Sequence, residues 1–138
     1  MSKEILRSNE FVVEVWESKF SDDGSVLKSD IADGWNDIAN LVKAVSPIGF
    51  DEKEIIIDFS ENDDLDVLKF FSDWMESSVS REVVISLGSR YGVSFRGCVV
   101  KDIIVSTLDV MDNDPVEVSV ILGCDEVGIV FKTEPENV

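Results

Sequence analysis

Between Lys53 and Met75 the chain reads KEIIIDFSENDDLDVLKFFSDWM, and the period of its apolar residues changes within a few positions. Ile55, Ile57 and Phe59 alternate with Ile56 and Asp58, a period of two that suits a strand with one well-buried face. Val67, Leu68, Phe71, Trp74 and Met75 then fall at i, i+1, i+4, i+7 and i+8, on one stripe of a helix. A strand leading straight into an amphipathic helix requires a shared apolar surface, and Val67, Phe71 and Trp74 are the expected anchors of the helix to it. The carboxylates between the two elements have a structural task. Asn62 or Asp63 can accept the first free backbone N–H groups, and Asp63, Asp64 and Asp66 sit where the helix dipole favours negative charge.

The rest of the chain is mostly β-like. Phe11–Trp16 alternates Phe11, Val13 and Val15 on one face, and Ser21-Asp22-Asp23-Gly24 has turn chemistry. Glu82–Leu87, Tyr91–Phe95, Val99–Val110 and Val116–Leu122 read as strands, the last two joined by Asp112-Asn113-Asp114-Pro115. That tetrapeptide lacks the spaced ligands, the glycine and the distal glutamate of a calcium loop, so it reads as a turn. From Asp30 to Val45, Ile31, Trp35, Ile38, Leu41, Val42 and Val45 recur at helical spacing, with Ser29 or Asp30 able to cap the start and Pro47 to stop it. This predicts a second helix over 30–45, although Gly34 inside it costs about 1 kcal/mol relative to alanine. The fold class is α+β and mainly β: two packed antiparallel sheets, split barrel-like, with one flanking helix and the second helix at 30–45. Residues 1–131 are expected to form a single domain and 132–138 a polar C-terminal tail.

Composition narrows function more than fold. The chain carries 29 acidic and 12 basic residues, a formal charge of −17. Nucleic-acid backbones and anionic lipid are bound chiefly through Lys and Arg, so neither is an expected ligand. No apolar run approaches the roughly 20 residues of a membrane span, and the opening lacks a signal-peptide pattern, which predicts a cytoplasmic origin and no membrane partner. Histidine is absent, which removes the usual general base, the His-dependent triads and almost every catalytic zinc site. Cys98 and Cys124 form no CxxC motif and lie in apolar strand-like segments, where reduced, buried thiols are expected and a disulfide is the sharper alternative. GSR at 88–90 and GVSFRG at 92–97 are neither a nucleophile elbow nor a phosphate loop. No catalytic residue, metal site or cofactor is expected, and function falls to surfaces. Ile103-Ile104-Val105 and Val118–Leu122 are apolar on both faces, more sheet surface than one helix covers, which implies either a two-sheet sandwich or strands that continue into a neighbour, as copies of the chain closed into a ring would provide.

The order of strand, polar turn, helix ending in F-x-x-W and paired strands resembles the tail tube proteins of contractile-tailed bacteriophages. The residues that carry the resemblance are Ile55–Phe59 and Asn62–Trp74, with Phe70, Phe71 and Trp74, and then FRGCVVKDIIVSTLDVMDNDPVEVSVILGCDEV. Within that last segment Gly97, Ile103, Leu108-Asp109, Glu117 and Val120–Leu122 echo the family's closing strands. The likeness spans residues 9–127 through loose patterns, and the helical spacing of 30–45 departs from the extended chain expected of the family there. The resemblance implies a structural virion protein: stacked hexameric rings whose inner strands form a continuous β-barrel, enclosed by a tail sheath and seated on baseplate proteins. Baseplate tube-initiators and type VI secretion tube proteins share this architecture. Localisation in a virion tail assembled in the host cytoplasm follows, with DNA passing through the channel without specific binding.

An acidic channel suits such passage, because carboxylates repel phosphates over about 8 to 10 Å at physiological salt. Alternation opposite the apolar sets makes Glu14, Asp58 and Glu117 the candidate channel-facing carboxylates, with an outer solvated surface as the alternative. The competing function is a small acidic immunity or inhibitor protein that binds a basic toxin or nuclease. Self-association separates the two readings.

Overall fold

The computed structural model describes residues 9–20, 26–88 and 90–131. In chain order the described elements are β1 (Phe11–Phe20), β2 (Val26–Ile31), α1 (Trp35–Ile38) with a 3-10 turn at Ala39–Leu41, β3 (Val42–Val45), β4 (Glu54–Ser60), α2 (Asp66–Ser77), β5 (Arg81–Leu87), β6 (Tyr91–Val105), β7 (Glu117–Gly123) and β8 (Glu126–Phe131). Neighbouring strands pair antiparallel in the order β2-β1-β5-β6-β7-β4-β3, with β8 also on β6. The path does not close into a barrel.

β6 makes two sheets out of this path. Its first part, Tyr91–Arg96, lies between β5 and β8, whereas Val99–Val105 pairs with β7. One sheet is therefore β2-β1-β5-β6-β8 and the other β6-β7-β4-β3. The change of sheet occurs at Gly97, whose φ of +67° is left-handed and whose missing Cβ would lie 2.4 Å from Asp125 Oδ2. Register shifts between Arg81 and Val83 and between Val100 and Asp102 flank the bend, as bulges do where a strand turns.

The strict alternation of β4 and β7 sets the core. Ile55, Ile57 and Phe59 join Val118, Val120 and Leu122 from the second sheet, facing Val13, Val15, Val83, Ile85, Val93 and Phe95 from the first. Each such buried side chain contributes roughly 1.5–3 kcal/mol of transfer free energy. α2 closes one end, with Val67, Phe71 and Trp74 buried. Phe71 packs on Phe59 at 5.2 Å and stacks on Trp74 at 5.8 Å between ring centroids.

Glu61 and Asn62 make the start of α2. Glu61 accepts the backbone N–H groups of Val67 and Leu68 at 3.0 and 2.8 Å, and Asn62 Oδ1 accepts those of Asp64 and Asp66 at 3.1 Å each. The acidic turn is thus a cap, with Asn62 in the expected role. Asp63 is exposed on the turn, and Glu61 supplies the other carboxylate acceptor. Leu65 takes a left-handed φ of 58° just before the helix, a strain that these bonds hold in place.

The helix expected over 30–45 is cut to one α turn and one 3-10 turn, with β2 before it and β3 after it. Gly34 stands at its start with a left-handed φ of 87°. The β-branched Ile31, Val42 and Val45 go to strands, where Val42 pairs with Phe59 and Val45 with Ile57. Tertiary pairing overrides a helical spacing that Gly34 already weakens. The strand expected to reach Val110 ends at Val105. Ser106 there exchanges bonds with Glu117, and Asp109 and Asp112 accept the N–H groups of Met111 and Asp114 to turn the chain. The expected turn at 21–24 and the tail at 132–138 lie outside the described residues.

Candidate assembly surfaces

Strand edges without a partner are the sites this fold leaves for other chains. β1 pairs with β2 only from Trp16 onward, so Phe11–Val15 has β5 on one side alone. The segment after β2 blunts that edge. Ala32 N–H donates to Val15 O at 2.8 Å and the Trp35 indole donates to Val13 O at 3.2 Å. Trp35 is buried and meets Phe59 edge-on at 6.1 Å, so one side chain plugs the seam between the sheets. Beside the plug, Phe11, Val13, Ala39, Val42 and Val45 line an open groove of about 560 Å³ between β1 and β3.

Further strand edges are open among the described residues. β3 pairs only with β4, β8 only with β6, and Val99–Val105 of β6 only with β7. Exposed apolar side chains collect beside two of them. Ile129 and Phe131 of β8 are 70% and 64% exposed, with Tyr91 edge-on to Phe131 at 5.4 Å. At the far end of β6, Ile104 and Val105 lead into a loop where Leu108, Val110 and Met111 are 71%, 101% and 86% exposed. Flat edges with apolar flanks are natural docking points for further strands or loops.

Asp58 and Glu117 come together on the outer face of the β6-β7-β4-β3 sheet, where Asp58 sits opposite Ser119 and Glu117 opposite Ser60. Both are engaged. Ser119 Oγ donates to Asp58 at 2.6 Å, and the Lys43 ammonium bonds Glu117. That bond and the charge of Glu117 raise the Lys43 pKa above its ordinary 10.5, with Asp58 and Asp114 adding to it. Lys101 reaches across the bare backbone of Gly123 to Glu54 at 2.9 Å on the same face, which also carries Ile56, Ile121 and Ile104. Glu14 lies on the outer face of the other sheet, opposite Val84. The three candidate carboxylates therefore belong to two faces.

Arg81 escaped sequence reading. Its guanidinium lies over the Phe70 and Trp74 rings at 5.6 and 5.0 Å and pairs with Glu17 at 3.5 Å. Burial lowers its pKa, against the carboxylates of Glu17 and Asp33. Such a cation over aromatic faces has no local sequence signal, because the rings come from a different element. Among the described residues, no three or more His, Cys, Asp or Glu side chains converge as metal ligands would, and no helix is long and apolar enough to cross a membrane.

A chain of the anti-feeding prophage baseplate superposes with a TM-score of 0.57 at 12% identity, covering 94% of this chain and 97% of its own. The chain has a tail-tube-like fold. A chain of an extracellular contractile injection system, the PVC sheath–tube complex in its extended state, gives 0.57 at 11% identity over 93% of both chains. The anti-feeding prophage tube-terminating cap gives 0.55 at 9% identity over 96% of this chain and 95% of that one. No family model and no curated protein matches the sequence.

Proposed function

We propose that this chain is a structural subunit of a contractile tail-like particle, which joins copies of itself into hexameric rings that stack into a tube. A sheath surrounds that tube and a baseplate seats it. The observation that carries the reading is the full-length likeness to chains from baseplate, sheath–tube and cap structures. The open edges of β3, β8 and the distal half of β6 support it, since they supply places where one copy continues the sheet of the next.

In this reading one outer sheet face lines the channel and the other meets neighbours. Asp58 and Glu117 form one candidate wall and Glu14 belongs to the alternative wall. With a formal charge of −17, either wall lets DNA pass without specific binding, because the counterion release that drives DNA binding has too few cations to start from. Negative-stain microscopy of the purified protein tests the assembly. Six-fold rings or tubes with a central channel are expected. A monodisperse monomer that captures a basic protein in a salt-dependent manner would replace this reading with that of an acidic inhibitor.

A further inference from the structure

Cys98 and Cys124 are 26 residues apart in sequence, yet their sulfurs lie 2.8 Å apart. Cys98 follows the left-handed Gly97 at the bend of β6 and is fully buried, opposite Arg81 of β5. Cys124 stands between β7 and β8 and is only partly buried. Its N–H donates to Lys53 O at 2.8 Å, and the next residue, Asp125, donates its N–H to Arg96 O at 2.8 Å. Backbone bonds on both sides hold the two thiols at the point where β6 passes from one sheet to the other.

We propose that Cys98 and Cys124 form a reversible disulfide, triggered by oxidation, that fastens the bend of β6 to the β7–β8 connection. The oxidant is a low-molecular-weight disulfide such as oxidised glutathione. The Cys124 thiolate attacks one of its sulfurs, forming a protein–glutathione bond and releasing one glutathione thiolate, which takes up the proton Cys124 has lost. Cys98 then gives up its proton and attacks Cys124 Sγ. The protein disulfide forms as the second glutathione leaves, so two protein thiols are oxidised and one glutathione disulfide is reduced to two thiols.

The environments assign the order of attack. Cys124 is the more accessible, and its hydrogen-bonded contact with Cys98 lowers its pKa against burial and the charges of Asp125 and Glu54. Cys98 is shifted the other way, by that same bond and by burial, and its S–H also has Phe95 O within 3.2 Å. The more accessible thiol is the nucleophile and the buried one resolves. A subunit folded with free thiols would lock its inter-sheet corner on entering an oxidising medium, by constraining the unfolded chain.

The test is oxidised glutathione added to the folded, full-length protein, followed by intact-mass and peptide analysis. The expected result is the loss of two hydrogens, a single cross-linked peptide pair containing Cys98 and Cys124, and a Tm higher by at least about 5 °C that dithiothreitol reverses. C98A should instead accumulate a glutathione adduct on Cys124. Thiols that stay unmodified in the folded protein while the unfolded chain oxidises would overturn the proposal. So would wild-type protein that stops at the glutathione adduct, or a bond formed between chains. The wild-type measurement decides the matter even if C98A does not fold.

Discussion

The α2 corner and the far end of the β6–β7 pair both gather large apolar side chains, aromatic in the first and aliphatic in the second, and treat them oppositely. At the α2 corner Phe59, Phe70, Phe71 and Trp74 form a continuous set of ring contacts, and the Trp74 indole donates to Val79 O at 2.7 Å. Arg81 covers two of the rings, and the free N–H groups of the helix start are bonded by Glu61 and Asn62. At the other end Ile104, Val105, Leu108, Val110 and Met111 stand in solvent beside a strand edge with no partner among the described residues. The first region is complete within one chain. In the proposed assembly the second is the surface that another chain covers, since apolar side chains next to an unpaired edge are suited to docking.

The contrast breaks if truncation at the two ends costs the same. W74A should cost about 3–5 kcal/mol in chemical denaturation, the range for emptying a buried tryptophan site. G97A should cost about 1–3 kcal/mol, since the bend needs a left-handed residue and a Cβ would meet the Asp125 carboxylate. E61A should cost about 1–2 kcal/mol through the loss of the α2 cap, read as a lowered denaturation midpoint. I104K and I129K should leave monomer stability within about 0.5 kcal/mol of wild type, as surface changes do, while abolishing association in light scattering. The smallest effect belongs to the exposed Lys43–Glu117 pair. The raised Lys43 pKa means that its stabilisation is complete below the ammonium's ordinary 10.5 and fades as pH climbs through the higher folded value. K43M should therefore match wild type at high pH and fall slightly below it near neutrality, in paired thermal melts.

Local pattern made some of this legible. Ile55, Ile57 and Phe59 declared a buried strand face, and Val67, Phe71 and Trp74 a helix stripe, because each pattern extends along one element. Trp35 and Ile38 belong to the apolar helical spacing and are buried, but in a one-turn plug. Helical spacing alone does not reveal that Val42 and Val45 will find Phe59 and Ile57 on a distant strand. Gly97 interrupts the apolar pattern between Tyr91–Phe95 and Val99, so two strands are expected there, yet both stretches up to Val105 belong to one strand that serves two sheets. The outward carboxylates were identifiable by alternation. That Glu14 faces away from Asp58 and Glu117 depends on how the sheets pack, which is a long-range property.

Hydrogen–deuterium exchange of the protein at low and high concentration addresses the central claim, that copies of this chain cover its open strand edges. The account predicts that amides along β8 and Val99–Val105 slow with concentration while those of β4, already paired on both sides, stay unchanged. Exchange along those edges that is equally fast at every concentration, in a particle of monomer mass, would contradict it.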